Sequence, residues 1–221
     1  PGIATTDYEL IFLKYVESAK QQGKYVIVYS HAGTELTTIP PLYLRNRFYS
    51  WINNGVDCII NTHPHNVQGK EIYSNKRIYY SLGNFAYQSH KEIPECSWSL
   101  GILLDLESMT FSELYFENAN GIIELGESEL YRSKFQNLSF ALDSSNYNNL
   151  YNEELSKIFE ERYSRFKPTS QQDAALLLHY FRSDAHRNSI IRYLSNYLAE
   201  HFDLSEDLIS ISGADYENCN E

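Results

Sequence analysis

Two short apolar runs separated by a helix-length segment constrain this chain more than any other feature. The first, Tyr25-Val26-Ile27-Val28-Tyr29, is rich in β-branched residues and apolar on both faces, the pattern of a strand buried within a parallel sheet. The second covers residues 56–60. Between them Pro40 and Pro41 open a helix, Leu44, Phe48, Trp51 and Ile52 form its buried stripe, and Gly55 ends it. Strand, helix, strand in about thirty residues is the size of a βαβ unit, whose two strands run parallel. Upstream, residues 6–22 read as another helix: Thr6 and Glu9 have capping-box spacing, Asp7 suits the first turn, Ile11, Phe12, Tyr15 and Ala19 share a face, and Gly23 supplies the stop.

Further along, Ile72-Tyr73 and Ile78-Tyr79-Tyr80 flank the turn-forming Ser74-Asn75 and predict a hairpin. Strands follow near 100–106 and 111–116, so the sheet region gains antiparallel strands. From about Asn148 the texture is helical, with Leu155, Ile158 and Phe159, then residues 175–181, then Ile190, Ile191, Leu194 and Leu198 at helical spacing. Residues 205–221 are acidic and poor in large apolar side chains, which predicts a loosely ordered tail. With 221 residues, 43% of them hydrophobic, the chain can build a sizeable core. The expected organisation is an α/β domain over 1–117, a mainly helical extension over 118–204 and the acidic tail.

Charge and cysteine content narrow the partners. Eighteen Lys and Arg against 29 Asp and Glu give a net charge of −11, a field that repels phosphate backbones and anionic lipid and argues against a nucleic-acid partner. No apolar run approaches the about 18 residues of a membrane span. Cys58, Cys96 and Cys219 are far apart, odd in number and without a CxxC pair, so they read as plain thiols, with Cys58 in the core. The chain begins at Pro1 and has Met109 as its one methionine, and it reads as part of a longer protein.

Chemistry concentrates in three histidines at the ends of the two parallel strands: His31 after the first, His63 and His65 after the second. Ligands of open α/β sheets bind beyond the carboxyl ends of strands, and neighbouring strands lie about 4.8 Å apart, so loops leaving both can converge on one atom. A divalent metal ion is the expected atom, with zinc, manganese, iron or nickel suited to imidazole. Pro64 biases His63 toward extended backbone, in which residues two apart point to one side, and His63 and His65 are therefore expected to present their rings together. Each histidine taken alone also reads as an ordinary surface residue. His179, His186 and His201 lack metal-like spacing, and Asp184 reads as a helix cap. The tyrosines at 25, 29, 79 and 80 read as core. No phosphate loop, GxSxG elbow or Cys/His nucleophile signature is present.

The stretches His31-Ala32-Gly33-Thr34-Glu35, Gly55-Val56-Asp57, Asn61-Thr62-His63-Pro64-His65 with Gln68, and Ser81-Leu82-Gly83-Asn84-Phe85 resemble, in order and spacing, the motifs of the CapA-type poly-γ-glutamate capsule-biosynthesis family. The resemblance covers residues 5–117, and more loosely the extension, where residues 181–187 are similar to a segment of some longer members. It implies a calcineurin-like metallophosphoesterase fold, a layered α/β/β/α domain of which this chain holds the C-terminal half, followed by helices. By the same resemblance His31, His63 and His65 are metal ligands. Glu35 orients a ligand or substrate and Asn84 hydrogen-bonds a ligand or loop backbone, or either caps a turn. Ala32 stands where the family has Trp, and Asn61 where it has Gly. The early Asp and Asn-Glu motifs that complete a two-metal centre do not occur here. Asp57, more than about 10 Å down its strand from the histidines, reads as structural.

The expected function is capsule or poly-γ-glutamate biosynthesis through a metal-dependent hydrolase, when the first half is present. His31, Glu35 and Asn84 then serve catalysis, and metal-activated water attacks a phosphoryl or acyl centre of capsule polymer or phosphoester. The alternative is a non-catalytic scaffold that keeps the fold and docks other capsule-biosynthesis proteins. The resemblance associates the family with the bacterial cell envelope.

Overall fold

The computed structural model describes residues 9–87, 94–119 and 122–163. The expected helices and tail beyond residue 163, with His179, Asp184, His186, His201 and Cys219, lie outside the described residues, as do Thr6 and Asp7.

The βαβ unit is present. Helix α1, Glu9–Gln21, ends at Gly23, whose φ of 71° lies in the left-handed region. Strand β1, Ile27–His31, leads into α2, Leu42–Asn53, which Pro41 precedes, and β2, Cys58–Thr62, pairs with β1 in parallel. Strands β3, Val67–Tyr73, and β4, Lys76–Leu82, form the expected hairpin. Its Ser74 and Asn75 have φ of 48° and 61°, as a two-residue turn with both residues left-handed requires. The first sheet runs β1-β2-β4-β3.

A 3-10 turn, Pro94–Ser97, then leads to β5, Trp98–Asp105, β6, Thr110–Ala119, and β7, Ile122–Leu125, which form a second, antiparallel sheet. Helices α3, Ser128–Ala141, and α4, Tyr147–Tyr163, follow. Strand β7 and helix α3 precede Asn148, from which the helical pattern is read, although Tyr131, Phe135 and Leu138 of α3 do recur at helical spacing. None of the helices among the described residues is long and apolar enough to cross a membrane.

Two cores flank the first sheet. On one face Val16 of α1, Leu44, Phe48, Trp51 and Ile52 of α2, and Tyr151 and Leu155 of α4 pack on Ile59, Ile78 and Tyr80. On the other, Cys58, Val67 and Tyr79 meet Trp98, Leu100 and Tyr115 of the second sheet, and Tyr131 and Phe135 of α3. Helices α1, α2 and α4 thus cover one face of the first sheet, and the second sheet together with α3, which lies directly on β3, covers the other.

Strand β1 departs from expectation. It starts two residues later than the apolar run, so His31 is its last residue and not a loop residue beyond it. Among the described residues it is an edge strand, and the second core takes no residue from it. Ile27 and Tyr29 are consequently 43% and 70% exposed, while Val28 packs inward on the helix side. Of the four strand tyrosines, Tyr79 and Tyr80 are buried as expected, and Tyr25 and Tyr29 are not.

Asp57 sits at the opposite end of β2 from the histidines. Its carboxylate, 3% exposed, accepts hydrogen bonds from Lys20 Nζ at 2.6 Å, from the Val26 N–H at 2.8 Å and from Lys76 Nζ. Burial alone would raise its pKa, but these donors outweigh burial and hold it below the ordinary carboxylate value. The residue fastens α1 and β4 to the start of β2.

Candidate functional site

The parallel register of β1 and β2 sets His31 opposite Thr62, so His63 follows at the same rim. The Nδ1 of His63 and the Nε2 of His31 are 3.2 Å apart, with ring centroids separated by 4.8 Å. On the far side of the His31 ring, Nδ1 is 3.0 Å from Thr62 Oγ1, and that hydroxyl donates to the Ser30 carbonyl at 3.1 Å. A hydroxyl has one proton, so Thr62 Oγ1 accepts from His31 Nδ1–H, which leaves the lone pair of neutral His31 on Nε2. Burial, followed by the positive potential of His65, lowers the His31 pKa, with Glu35 opposing. The lowered pKa favours the neutral ring, whose Nε2 lone pair then accepts from His63 Nδ1–H.

His65 occupies the neighbouring position. Its Nδ1 is 2.6 Å from Asn84 Oδ1, an acceptor that places the ring proton on Nδ1 and the lone pair on Nε2, and that Nε2 lies 3.9 Å from Glu35 Oε1. Tyr87 stacks on the ring with centroids 5.3 Å apart. The His63 and His65 centroids are 6.2 Å apart.

The expectation of an extended His63-Pro64-His65 segment is overturned. The φ angles of His63 and His65 are 102° and 67°, both in the left-handed region that costs a non-glycine residue about 1–3 kcal/mol. The rings approach through this strained turn and not through two-residue alternation. What holds it comes from the loop after β1: the Leu36 N–H donates to Pro64 O at 2.7 Å, and Asn66 Nδ2 donates to Leu36 O at 2.6 Å.

Asn61, which stands where the resembled family has Gly, acts as a cross-brace. Fully buried, its Nδ2 donates to Ala32 O at 2.8 Å and Tyr80 O at 2.7 Å, and its Oδ1 accepts from Ala32 N at 3.1 Å. It binds β1 to β4 across β2 just below the rim. A polar side chain ending the apolar run Ile59-Ile60 was the available sequence signal. For Thr62 and Tyr87 no signal distinguished them.

The donor set can be compared with a metal's needs. Two imidazole nitrogens at about 2.1 Å from one ion, at angles from octahedral to tetrahedral, lie about 3.0–3.4 Å apart, and His31 and His63 meet that spacing. Among the described residues no group of three or more His, Cys, Asp or Glu side chains is gathered to hold a metal. The structure thus brings together the pair 31 and 63, and separately joins His65 to Glu35 and Asn84.

Comparison with known proteins adds a source for this arrangement. Residues 3–89 match the family described as bacterial capsule synthesis protein PGA_cap. The PGA biosynthesis protein CapA of Bacillus subtilis (strain 168) is 36% identical over 87 residues, which is 39% of this chain and 23% of that protein. The capsule biosynthesis protein CapA of Bacillus anthracis is 32% identical over 81 residues, 35% of this chain and 20% of that protein. The matched stretch thus spans less than a quarter of the length of either relative.

Proposed function

We propose that this chain, CapA-type over the segment that matches PGA_cap, acts in bacterial capsule or poly-γ-glutamate biosynthesis and carries there a metal-dependent hydrolytic site at the β1/β2 rim. The observation that supports this reading is the 3.2 Å approach of His31 Nε2 and His63 Nδ1, two imidazole nitrogens delivered by different elements at the spacing of adjacent ligands, whose shared hydrogen-bonding proton an ion would displace. His31 and His63 would hold the ion and His65 would supply the third nitrogen, each of His31 and His65 having an acceptor, Thr62 or Asn84, on its Nδ1 that turns its Nε2 lone pair outward. Zinc, manganese or iron suits such a set. When bound, such an ion polarises a phosphoryl or acyl oxygen and acidifies water.

The chain's own residues have separate tasks in this reading. Glu35, 3.9 Å from His65 Nε2, orients the attacking water or accepts its proton. Asn84 keeps the His65 ring in one tautomer. The strained turn at His63 and His65 fixes the two rings before substrate arrives, so that less ordering entropy remains to be lost on binding. Capsule polymer or a phosphoester is the proposed substrate class.

The test is calorimetric titration of zinc and manganese into the chain and into His31→Ala and His63→Ala. Removal of one imidazole is expected to weaken binding by at least about tenfold. Unchanged affinity in both variants overturns the site and leaves a non-catalytic member that keeps the fold.

A further inference from the structure

The loop between β1 and α2, residues 32–41, carries Glu35 and lies under α4, a helix outside the segment that matches PGA_cap. Three side chains of α4 hold it. Glu154 Oε2 accepts the Thr38 N–H at 2.8 Å and the Ile39 N–H at 3.1 Å, and its Oε1 accepts the Thr38 hydroxyl. The Tyr151 and Thr34 hydroxyls are 2.8 Å apart, and Tyr147 donates to Pro40 O. The Tyr151 and Tyr147 contacts are buried, with Thr34 and Tyr151 4% and 1% exposed, and the Glu154 contacts are half-buried beside Ile39, 4% exposed. The opposite side of the loop grips the histidine turn, since Leu36 exchanges hydrogen bonds with Pro64 and Asn66, the two residues flanking His65. Gln68 Nε2 donates to Thr37 O at 2.9 Å as well.

A continuous path therefore runs from α4 through residues 34–39 to the backbone on both sides of His65. Thr34 and Thr38 are pinned to α4, Glu35 and Leu36 lie between them, and Leu36 carries the constraint to the turn. A carboxylate that accepts two backbone N–H groups and a hydroxyl is a strong anchor, because each bond is charge-assisted.

We propose that Glu154 and Tyr151 are positioning residues of the histidine rim: they fix the 32–41 loop, and through it set Glu35 against His65 and hold the left-handed turn. This assigns the helical extension a role in the site. Only the consequence for metal binding rests on the function proposed above; the geometric coupling does not.

The experiment uses the labelled full chain with Glu154→Gln, Glu154→Ala and the exposed neighbour Glu153→Gln. Amide exchange at Thr38 and Ile39 is expected to accelerate about tenfold or more in both Glu154 variants, and the ring carbon and proton resonances of His65 are expected to move with it. Glu153→Gln changes neither. Zinc affinity is expected to fall about tenfold. Faster exchange with an unmoved His65 ring overturns the proposal, reducing α4 to a strap on the loop, and unchanged exchange overturns it as well. A wild-type chain that binds no zinc refutes the metal reading but leaves the His65 resonances to decide this one. Should Glu154→Ala fail to fold, Glu154→Gln and Thr38→Val, which removes the hydroxyl donor, give the same readings.

Discussion

His31 and His63 face each other across the ends of two parallel strands, Nε2 to Nδ1 at 3.2 Å, and Thr62 decides which nitrogen of His31 faces inward. Because the Thr62 hydroxyl donates to Ser30 O, it can only accept from His31 Nδ1–H. Thr62→Val keeps the β-branched shape of the strand and removes that acceptor. The His31 ring then loses its reason to keep the proton on Nδ1. Zinc affinity is expected to fall about tenfold, measured by calorimetry, with the melting temperature shifted by only a few degrees. An affinity equal to wild type would show that the tautomer is set elsewhere.

Much of this arrangement is legible in the residues because it is local. The helix stops at Gly23 and Gly55, the Ser74-Asn75 turn and the placement of three histidines at one rim follow from short-range pattern. What was missed depends on neighbours that are distant in sequence. Strand β1 reads as buried on both faces because Val26, Ile27 and Val28 are apolar, yet the three-stranded second sheet does not extend over it and half its side chains stay exposed. The φ angles at His63 and His65 oppose the local preference set by Pro64, and only the bonds from Leu36 and Asn66 to that turn explain them. Glu154 offered no signal at all, since its partners Thr38 and Ile39 precede it by more than a hundred residues.

The Asp57 cluster makes stability depend on acid in a defined direction. Its pKa is lowered in the fold, so its contribution is fully present above the unfolded value of about 3.9 and is lost as pH falls through the folded value. Asp57→Asn is expected to destabilise the chain at neutral pH and to flatten the decline in unfolding free energy between about pH 5 and pH 2. Urea titrations of both proteins across that range measure it. A variant that loses stability with acid as steeply as wild type would move the acid sensitivity away from this site.

Gly69 of β3 lies beneath α3. A Cβ there would stand 2.6 Å from the Leu138 carbonyl oxygen and 2.7 Å from Ser139 Cα, both backbone atoms that no rotamer change can move. The same contact is closed by the Lys70 N–H, which donates to Ser139 Oγ at 3.0 Å. Gly69→Ala must therefore lift the helix from the sheet, at a cost of about 3 kcal/mol. Chemical denaturation monitored by the fluorescence of Trp98, which stacks on Tyr131 of α3 at 5.2 Å, reads both the stability loss and the displacement.

Arg45 and Glu71 tie the matched segment to the helices that follow it. Arg45, 8% exposed, donates to Glu71 Oε1 at 2.8 Å and to the Leu142 carbonyl at 3.0 Å, and its guanidinium lies 4.5 Å from the Tyr147 ring. Tyr49 and Tyr80 donate to the two oxygens of Glu71 at 2.6 Å and 2.8 Å, and burial, then the bond to Glu71, pushes the Tyr49 pKa up to about 12. Each charge is tolerated because the other compensates it. Glu71→Leu strands a guanidinium and two hydroxyls and is expected to cost about 3–5 kcal/mol, and Arg45→Met, which strands the carboxylate, a similar amount. The double variant removes both charges together and should be destabilised by clearly less than the sum, since no unpaired ion is then left inside. Unfolding free energies of the four proteins close the cycle. Strict additivity would mean that the two groups are not a pair, and that α2 is held to β3 by the stack of Tyr49 on Tyr73, at 4.1 Å, and the Asn53 bond to the Tyr73 hydroxyl instead.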